Sequence, residues 1–180
     1  MTAARGAAFL DRDGVLNVDH GYVHRPESLA LVPGAAEAVR LLNEAGRLVI
    51  VVTNQSGVAR GLYGEDDVNR FNDELARRLA ADGGRIDAFY HCPHHPEGTV
   101  ARYAVRCDCR KPKPGLLQQA ARDFVIDRAE SFLIGDRDSD LEAATAFGIR
   151  GIRFDVGAQK LIEVVRAALR ADDCTGSQLS

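Results

Sequence analysis

Apolar runs alternate with stretches of helical periodicity along this chain. Residues 7–10, AAFL, form a short apolar run that reads as a first strand. After Pro33 the string GAAEAVRLLNEAG (34–46) places apolar residues at helical spacing and stops at Gly46. Leu48 to Thr53, LVIVVT, is all apolar but for its last residue and rich in β-branched side chains, the pattern of a strand buried on both faces. A second helix is expected over 64–84, with acids near its start and glycines at its end. IDAFYHC (86–92) reads as a third strand, PGLLQQAARDF (114–124) as a helix, and SFLIGD (131–136) as a fourth strand. SDLEAATAFG (139–148) is a helix closed by Gly148, IRGIRF (149–154) a fifth strand, and AQKLIEVVRAAL (158–169) a last helix. The tail CTGSQLS (174–180) is expected to fray. Strand-helix alternation of this kind predicts an α/β fold: a three-layer, Rossmann-like parallel sheet covered on both faces.

The stretch from Cys92 to Pro114 breaks the pattern, with little periodicity of either kind. A loop of that length inside a compact domain calls for a reason. No repeat, low-complexity tract or linker divides the chain, so its 180 residues read as a single domain with this loop, 91–114, inserted.

Composition narrows the function classes. Hydrophobic residues are 46% and charged ones 27%, an ordinary soluble balance. The net charge of −3 offers no footprint for nucleic acid or an anionic membrane. No apolar run nears the roughly 18 residues of a membrane span. The start, MTAARG, is too short for a secretory signal, so a cytoplasmic chain is expected. In a reducing compartment, the cluster Cys92, Cys107 and Cys109 suggests a metal more than disulfides. Cys174 stands apart in the polar tail. No apolar stripe suggests an interface, and a monomer is expected.

Three predicted strands end on reactive side chains: Asp11 and Asp13 after the first, Thr53 on the second, Asp136 on the fourth. In an open parallel sheet these ends share one rim, where ligands bind. Asp11 and Asp13 are two apart, so extended backbone points them the same way, and Gly14 lets the chain turn off without a side chain in the site. Crowded carboxylates call for a cation, and oxygen ligands from Asp11 and Asp136 suit Mg²⁺ with a substrate phosphate as a further ligand. Thr53 offers a hydroxyl, and the following Asn54, Gln55 and Ser56 offer backbone N–H groups in a turn that suits anionic oxygens. Arg110 and Lys111 bring two cations from the irregular loop. These residues describe a phosphate held between a metal ion, two cations and a carboxylate.

Within the irregular loop, CPHHPEGTVARYAVRCDC reads as C-x-H-x12-C-x-C: Cys92, His94, Cys107 and Cys109, a tetrahedral zinc set, with His91 and His95 as rival ligands. Such a set leaves no open position, so the Zn²⁺ is expected to be structural, its binding energy standing in for a missing apolar core. Cys109 directly precedes Arg110 and Lys111, so fixing the cysteine fixes both cations.

The order DRDGVLN, VVTNQSG, RKPKP, GDRDSD resembles the haloacid dehalogenase superfamily of phosphohydrolases. AAFLDRDGVL matches its first motif, IVVTN its second, Lys111 in RKPKP its third, and GDRDSD its fourth. The strings FLDRDGVLNVDHGYVHRPE, VVTNQSGVARG, CPHHPEG and CDCRKPKPG are similar to a narrow group holding heptose-bisphosphate phosphatases and histidinol-phosphate phosphatases. The resemblance covers roughly residues 6 to 155 and implies a haloacid dehalogenase-like fold. It implies Asp11 as a nucleophile that becomes an aspartyl-phosphate, Asp13 as general acid and then base, and Thr53 and Lys111 on the phosphoryl oxygens. Mg²⁺ would be held by Asp11, Asp136 and the backbone carbonyl of Asp13. The zinc ligand among the histidines is then His94. Arg110 is expected to grip the substrate's far end, and Asp19, His20, Gly21, Tyr22 and Arg137 to read the substrate at the rim. Neither the gap after the first motif nor the loop after Thr53 is long enough for a large cap domain. Asp140 reads as a structural acid and stands outside the catalytic set.

The expected function is a Mg²⁺-dependent phosphatase acting on a small phosphorylated sugar, the 7-phosphate of a heptose 1,7-bisphosphate. Arg110 and Arg25, with DHGY (19–22), favour that bisphosphate over histidinol phosphate, whose ammonium calls for an acidic pocket. A non-catalytic zinc module on the same fold is the third reading.

Overall fold

A computed structural model describes residues 3–176, with side chains through residue 171. Among the described residues one sheet holds β1 (Arg5–Leu10), β2 (Leu48–Asn54), β3 (Ala88–Cys92), β4 (Ile126–Gly135) and β5 (Arg150–Arg153). All pairs are parallel, in the order β3-β2-β1-β4-β5. The helices are α1 (Ala35–Glu44), α2 (Ser56–Ala59), α3 (Glu65–Ala81), α4 (Gly115–Asp123), α5 (Asp138–Phe147) and α6 (Leu161–Gly176). None of the described helices is long and apolar enough to cross a membrane.

The uninterrupted apolar strands follow from burial on both faces. Ala8, Leu10, Val49, Val51, Phe132 and Ile134 pack toward α1, α3 and α6. Their neighbours Ala7, Phe9, Leu48, Ile50, Val52 and Leu133 pack toward α4 and α5. Strand period two thus feeds two cores from one run of residues, which makes the three layers.

Several boundaries differ from the expected ones. β1 begins at Arg5 and β4 at Ile126, ahead of the apolar runs at 7–10 and 131–136. Arg5 and Gly6 pair with Ile126 and Asp127, after which the register slips. Ser131 bridges the irregularity: its hydroxyl accepts from Ala7 N–H (2.9 Å) and donates to Asp127 O. Those early β4 residues are half-exposed and polar, so no apolar period marks them. Ser56 to Ala59, expected as a turn, close a single helical turn. The last helix runs past 169 to Gly176, so the first three residues of the predicted tail are helical; the remainder, 177–180, lies outside the described residues.

β1 pairs with β2 on one side and β4 on the other, which makes it the switch point of the sheet. The residues just past β1, β2 and β4 therefore border one crevice.

Candidate active site and metal centre

A cavity of about 530 Å³ opens at that crevice. Asp11, Asp13, Asp19, Gly21, Tyr22, Thr53, Asn54, Gln55, Ser56, Arg110, Lys111 and Arg137, twelve of the residues expected to act at the site, all line it.

Asp11 extends the β1 ladder by one residue, its N–H donating to Ile134 O at 3.0 Å. Its carboxylate accepts from Arg12 N–H (2.7 Å) and meets Lys111 Nζ at 3.0 Å. Burial pushes the Asp11 carboxyl up to about 7, against the opposing pull of the Lys111 charge. Lys111 is itself buried, with Nζ 2.6 Å from Asp140 and donating to Val52 O at 2.8 Å. Burial alone would lower its pKa, but Asp11 and Asp140 outweigh that and hold it above the ordinary lysine value. Three acceptors thus take up the ammonium's three N–H donors, aiming it at the nucleophile. Asp140, left outside the catalytic set, has two jobs. One oxygen accepts from Arg137 N–H (3.1 Å) at the start of α5, and the other holds Lys111.

Asp13 is the most heavily donated group of the site. Arg12 binds it through Nε and Nη2, both at 3.1 Å, Asn17 Nδ2 at 3.0 Å, and Gln55 Nε2 at 2.9 Å. Arg12 is fully buried. Its other contacts are Asn72 Oδ1 (3.1 Å), Val23 O (2.8 Å) and the face of Phe71, 4.4 Å from the ring centroid. A buried guanidinium must be paired, and here five contacts on three elements lock it.

At the end of β2, Thr53 is buried and its hydroxyl accepts from Gln55 Nε2 at 2.9 Å. Asn54 faces the cavity but its amide is committed to Lys111: Nδ2 donates to Lys111 O (3.0 Å) and Oδ1 accepts from Lys111 N–H (3.1 Å). That double bond of amide to peptide sets where Lys111 enters the site. Gln55 N–H donates to Cys92 O at 2.8 Å, tying the same loop to the end of β3.

Asp136 follows β4 directly and lines an adjoining cavity with Gly14 and Asp19 instead of the main one. Its Oδ1 is buried without a hydrogen-bond partner among the described residues. Gly14, at φ +85°, leaves no side chain in the way: a Cβ there would stand 2.6 Å from Asp136 Oδ2. Oxygens of Asp11, Asp136 and Asp140 lie within 4.8 Å of one another. Both oxygens of Asp140 are engaged, by Arg137 N–H and Lys111, whereas Asp11 meets Arg12 N–H and Lys111 through the same oxygen, Oδ1. Asp11 and the orphan oxygen of Asp136 thus remain as hard donors, which fits a small divalent cation such as Mg²⁺. Burial also raises the Asp136 carboxyl, the mark of an acid short of positive charge.

The irregular loop folds around a second donor set. Ligand atoms of Cys92, His94, Cys107 and Cys109 lie within 4.8 Å of one another. Cys92 Sγ is 3.5 Å from Cys107 Sγ and 3.2 Å from Cys109 Sγ, and His94 Nδ1 is 3.3 Å from Cys109 Sγ. Zinc–sulfur bonds of about 2.3 Å in a tetrahedron put sulfurs about 3.7 Å apart, so the cage is close to zinc size. Hydrogen bonding from Cys92 brings the Cys109 thiol down to about 5, while the Cys92 thiol is pushed up. Thiols that contend for protons in this way suit a cation that takes them all as thiolates. His91 and His95 point elsewhere: His91 Nε2 meets Glu65 (3.2 Å) and His95 Nε2 meets Arg60 (3.5 Å).

At the rim, Arg137 Nη2 pairs with Asp19 Oδ2 at 3.0 Å, while Asp19 Oδ1 accepts from Gly21 N–H at 2.8 Å. Tyr22 lines the cavity with φ +52°. His20, expected to contact substrate, is exposed and does not line the cavity, and neither does Arg25. The loop turns at Gly21, which carries His20 outward.

Sequence reasoning missed Arg12, Tyr63 and Ser139. Tyr63 and Ser139 line the cavity. The one available signal was the position of Arg12, a cation lodged between two carboxylates at the end of an apolar run, which marks the residue but not its partners.

Comparison with known proteins matches residues 108–177 to a HAD-hydrolase-like family model. The chain is 49% identical over 178 residues to D-glycero-beta-D-manno-heptose-1,7-bisphosphate 7-phosphatase of Rhodopseudomonas palustris, covering 94% of this chain and 99% of that one. It is 45% identical to the same-named protein of Yersinia pestis, covering 83% of this chain and 79% of that one. Among solved structures it is similar to D,D-heptose 1,7-bisphosphate phosphatase from B. bronchiseptica complexed with magnesium and phosphate. There the TM-score is 0.75 at 31% identity, covering 92% of this chain and 99% of that one.

Proposed function

Since this chain belongs to the heptose-1,7-bisphosphate 7-phosphatase family of the haloacid dehalogenase superfamily, we propose that it is a magnesium-dependent phosphatase for the 7-phosphate of D-glycero-D-manno-heptose 1,7-bisphosphate. Its place would be the supply of nucleotide-activated heptose for lipopolysaccharide. The observation that carries this reading is the convergence of Asp11, Asp13, Thr53 and Lys111 on one cavity at the sheet's switch point.

In this mechanism Asp11 attacks phosphorus in line with the leaving sugar oxygen and becomes an aspartyl-phosphate. Asp13, protonated, gives its proton to the departing alkoxide; as a carboxylate it then takes one from the water that cleaves the acyl-phosphate. Thr53 Oγ and the backbone N–H groups of Asn54 and Ser56 hold the phosphoryl oxygens. The Gln55 N–H, expected to join them, is spent on Cys92 O. Lys111, expected on those oxygens too, has its three donors on Asp11, Asp140 and Val52 O and instead balances the charge gathered at Asp11. Asp11, Asp136 and the Asp13 carbonyl would hold Mg²⁺, which when bound shields one anion from the other. Arg110 and Arg137, on opposite loops of the rim, suit the second phosphate, since a guanidinium grips such a group bidentately. Cys92, His94, Cys107 and Cys109 would hold a structural Zn²⁺.

The test is phosphate release, with magnesium, from the heptose bisphosphate and from histidinol phosphate in parallel. Faster turnover of the sugar is expected, and faster turnover of histidinol phosphate would overturn the substrate assignment. Asp11→Asn keeps the shape and removes the charge, so release should fall to background; activity surviving that change would sink the aspartyl-phosphate mechanism.

A further inference from the structure

Asp13 and Thr53 share one buried neighbour, Gln55, and its amide can face them in two senses. In the structure, Nε2 donates both to Asp13 Oδ2 and to Thr53 Oγ1, each at 2.9 Å. An amide turned over would set its oxygen against the Asp13 carboxylate and take up the Thr53 hydroxyl hydrogen. Gln55 is 1% exposed, so water does not choose between the two. Tyr63 does: its hydroxyl reaches Gln55 Oε1 at 2.8 Å. The phenol oxygen already takes a backbone hydrogen bond from Gly57, so what it offers Gln55 is its hydrogen; that calls for the amide oxygen on the tyrosine side and leaves the NH₂ for Asp13 and Thr53. Burial pushes the Tyr63 phenol up to about 12, so it keeps its proton at any working pH.

The tyrosine is held in turn. Its ring stacks on His24 with centroids 4.5 Å apart and planes at 16°. The ring lies so close over Gly57 that a Cβ there would come within 2.2 Å of it. The His24 ring meets Tyr22 O at 2.7 Å, which connects the same ring to the rim loop.

We infer that Tyr63, acting through Gln55, is a positioning residue that sets the hydrogen-bond polarity of Asp13 and Thr53 together. This rests on the assignment of Asp13 as general acid and base. With Gln55 so oriented, Thr53 Oγ receives a hydrogen bond, and its own hydrogen is left for a phosphoryl oxygen. Asp13 is held with Oδ2 on Gln55 and Arg12 Nη2 and Oδ1 on Arg12 Nε and Asn17, a fixed carboxyl plane for proton transfer.

The variants are Tyr63→Phe, which keeps the ring against His24 and Gly57, and Gln55→Leu, which deletes the amide and nearly keeps its volume. Both are compared with the wild type, magnesium present, on heptose bisphosphate and on p-nitrophenyl phosphate. The second has a leaving group that needs no proton, so kcat/KM for it reports phosphoryl binding and attack without acid catalysis. The expected result is a kcat/KM ratio, sugar over aryl, lowered by about tenfold or more in both variants, carried by kcat, with melting temperature lowered by roughly a few degrees for the buried polar atom each leaves unpaired. Equal loss on both substrates, or no loss on either, would overturn the inference. Asp11→Asn run alongside separates the two readings: wild-type release abolished by that change upholds the phosphatase whatever the tyrosine does. A measurement free of activity is the Gln55 side-chain NH₂ signal in a nitrogen–proton spectrum, identified by its absence in Gln55→Leu. It should exchange slowly in the wild type and shift and exchange faster in Tyr63→Phe. An unchanged signal would refute the orientation role even for an inactive protein.

Discussion

Replacing Gly14 by alanine tests the magnesium site through a residue that binds nothing itself. A Cβ at position 14 would lie 2.6 Å from Asp136 Oδ2 and 2.9 Å from its Cγ. Ordinary contact begins at 3.4 Å, so the carboxylate must give way by roughly 0.8 Å. Mg²⁺ bonds oxygen at about 2.1 Å in near-octahedral geometry and tolerates little displacement. Misplacing a group that orients a metal ligand costs on the order of 10–100-fold in affinity. The left-handed backbone, φ +85°, adds about 1–2 kcal/mol against any side chain. Gly46 supplies the control: its φ is +73°, but nothing lies within 4 Å of its Cβ position, so Gly46→Ala carries the backbone cost without the clash. Titrating activity with magnesium, and magnesium binding by calorimetry, should show Gly14→Ala needing about 10–100-fold more metal while Gly46→Ala matches the wild type. Gly14→Ala should lose the melting temperature that Gly46→Ala loses and more, since it alone carries the clash. A folded Gly14→Ala protein with the wild-type magnesium requirement would refute Asp136 as a ligand.

Stripping zinc, or Cys107→Ala, should open the 92–110 segment and lower the melting temperature by on the order of 10 °C, the shift that several kcal/mol of lost binding energy gives at this chain length. Activity should fall with it, KM through Arg110 and kcat through Lys111; a stripped protein that keeps both stability and activity would refute the structural zinc. Lys111→Met should cost about 3–5 kcal/mol by leaving Asp11 and Asp140 buried without their cation. The pH dependence of the Asp11 contribution has a definite sign. In zinc-loaded protein without magnesium, burial raises the folded Asp11 carboxyl to about 7 from 3.8, so the Asp11 contribution to stability is fully present below 3.8 and is lost as pH rises toward 7, while Glu65, Asp67, Glu74 and Asp108, held low by their partners, contribute in the opposite sense. Without Lys111 the Asp11 loss should continue above pH 7, making the variant's deficit larger at pH 8 than at pH 6. Denaturant melts at the two pH values check this, and an equal deficit at both would refute the charge role.

Much of the site was legible because strand ends are legible. An apolar run stopping at Asp11, Thr53 or next to Asp136 marks a sheet rim, and a parallel sheet puts such rims on one side. Cys92, His94, Cys107 and Cys109 were legible for a similar reason, since soft ligands at tight spacing have few other uses. His20 lies exposed outside the cavity, since adjacency to rim residues says nothing about which way a loop turns its side chains. Arg12 and Tyr63 were illegible because their roles are set by partners far along the chain: Arg12 by Asn72 and Phe71, Tyr63 by Gln55 and His24. No period or spacing encodes such contacts.

The tie between the cysteine cluster and the Asp11 cavity was half legible, and the other half explains it better. Adjacency of Cys109, Arg110 and Lys111 suggests that the zinc loop sets the cations. The structure adds ties that run through backbone groups, which carry no sequence signature. Ala59 O, at the end of α2, accepts from the N–H groups of Thr99 (2.8 Å) and Val100 (2.9 Å). Gly98 sits against Ala59 so closely that a Cβ would come within 2.6 Å of its carbonyl oxygen. At the other end of α2, Gln55 N–H holds Cys92 O, and Asn54 clasps the Lys111 peptide from both sides. One helical turn of four residues is too short to stand alone. It is suspended at both ends from the zinc loop, and it follows directly from the residues proposed to hold the phosphoryl group. The cysteine loop is therefore tied to the Thr53–Ala59 segment as well as to the two cations, so removing a zinc ion held there should disturb Thr53 and Gln55 no less than Arg110.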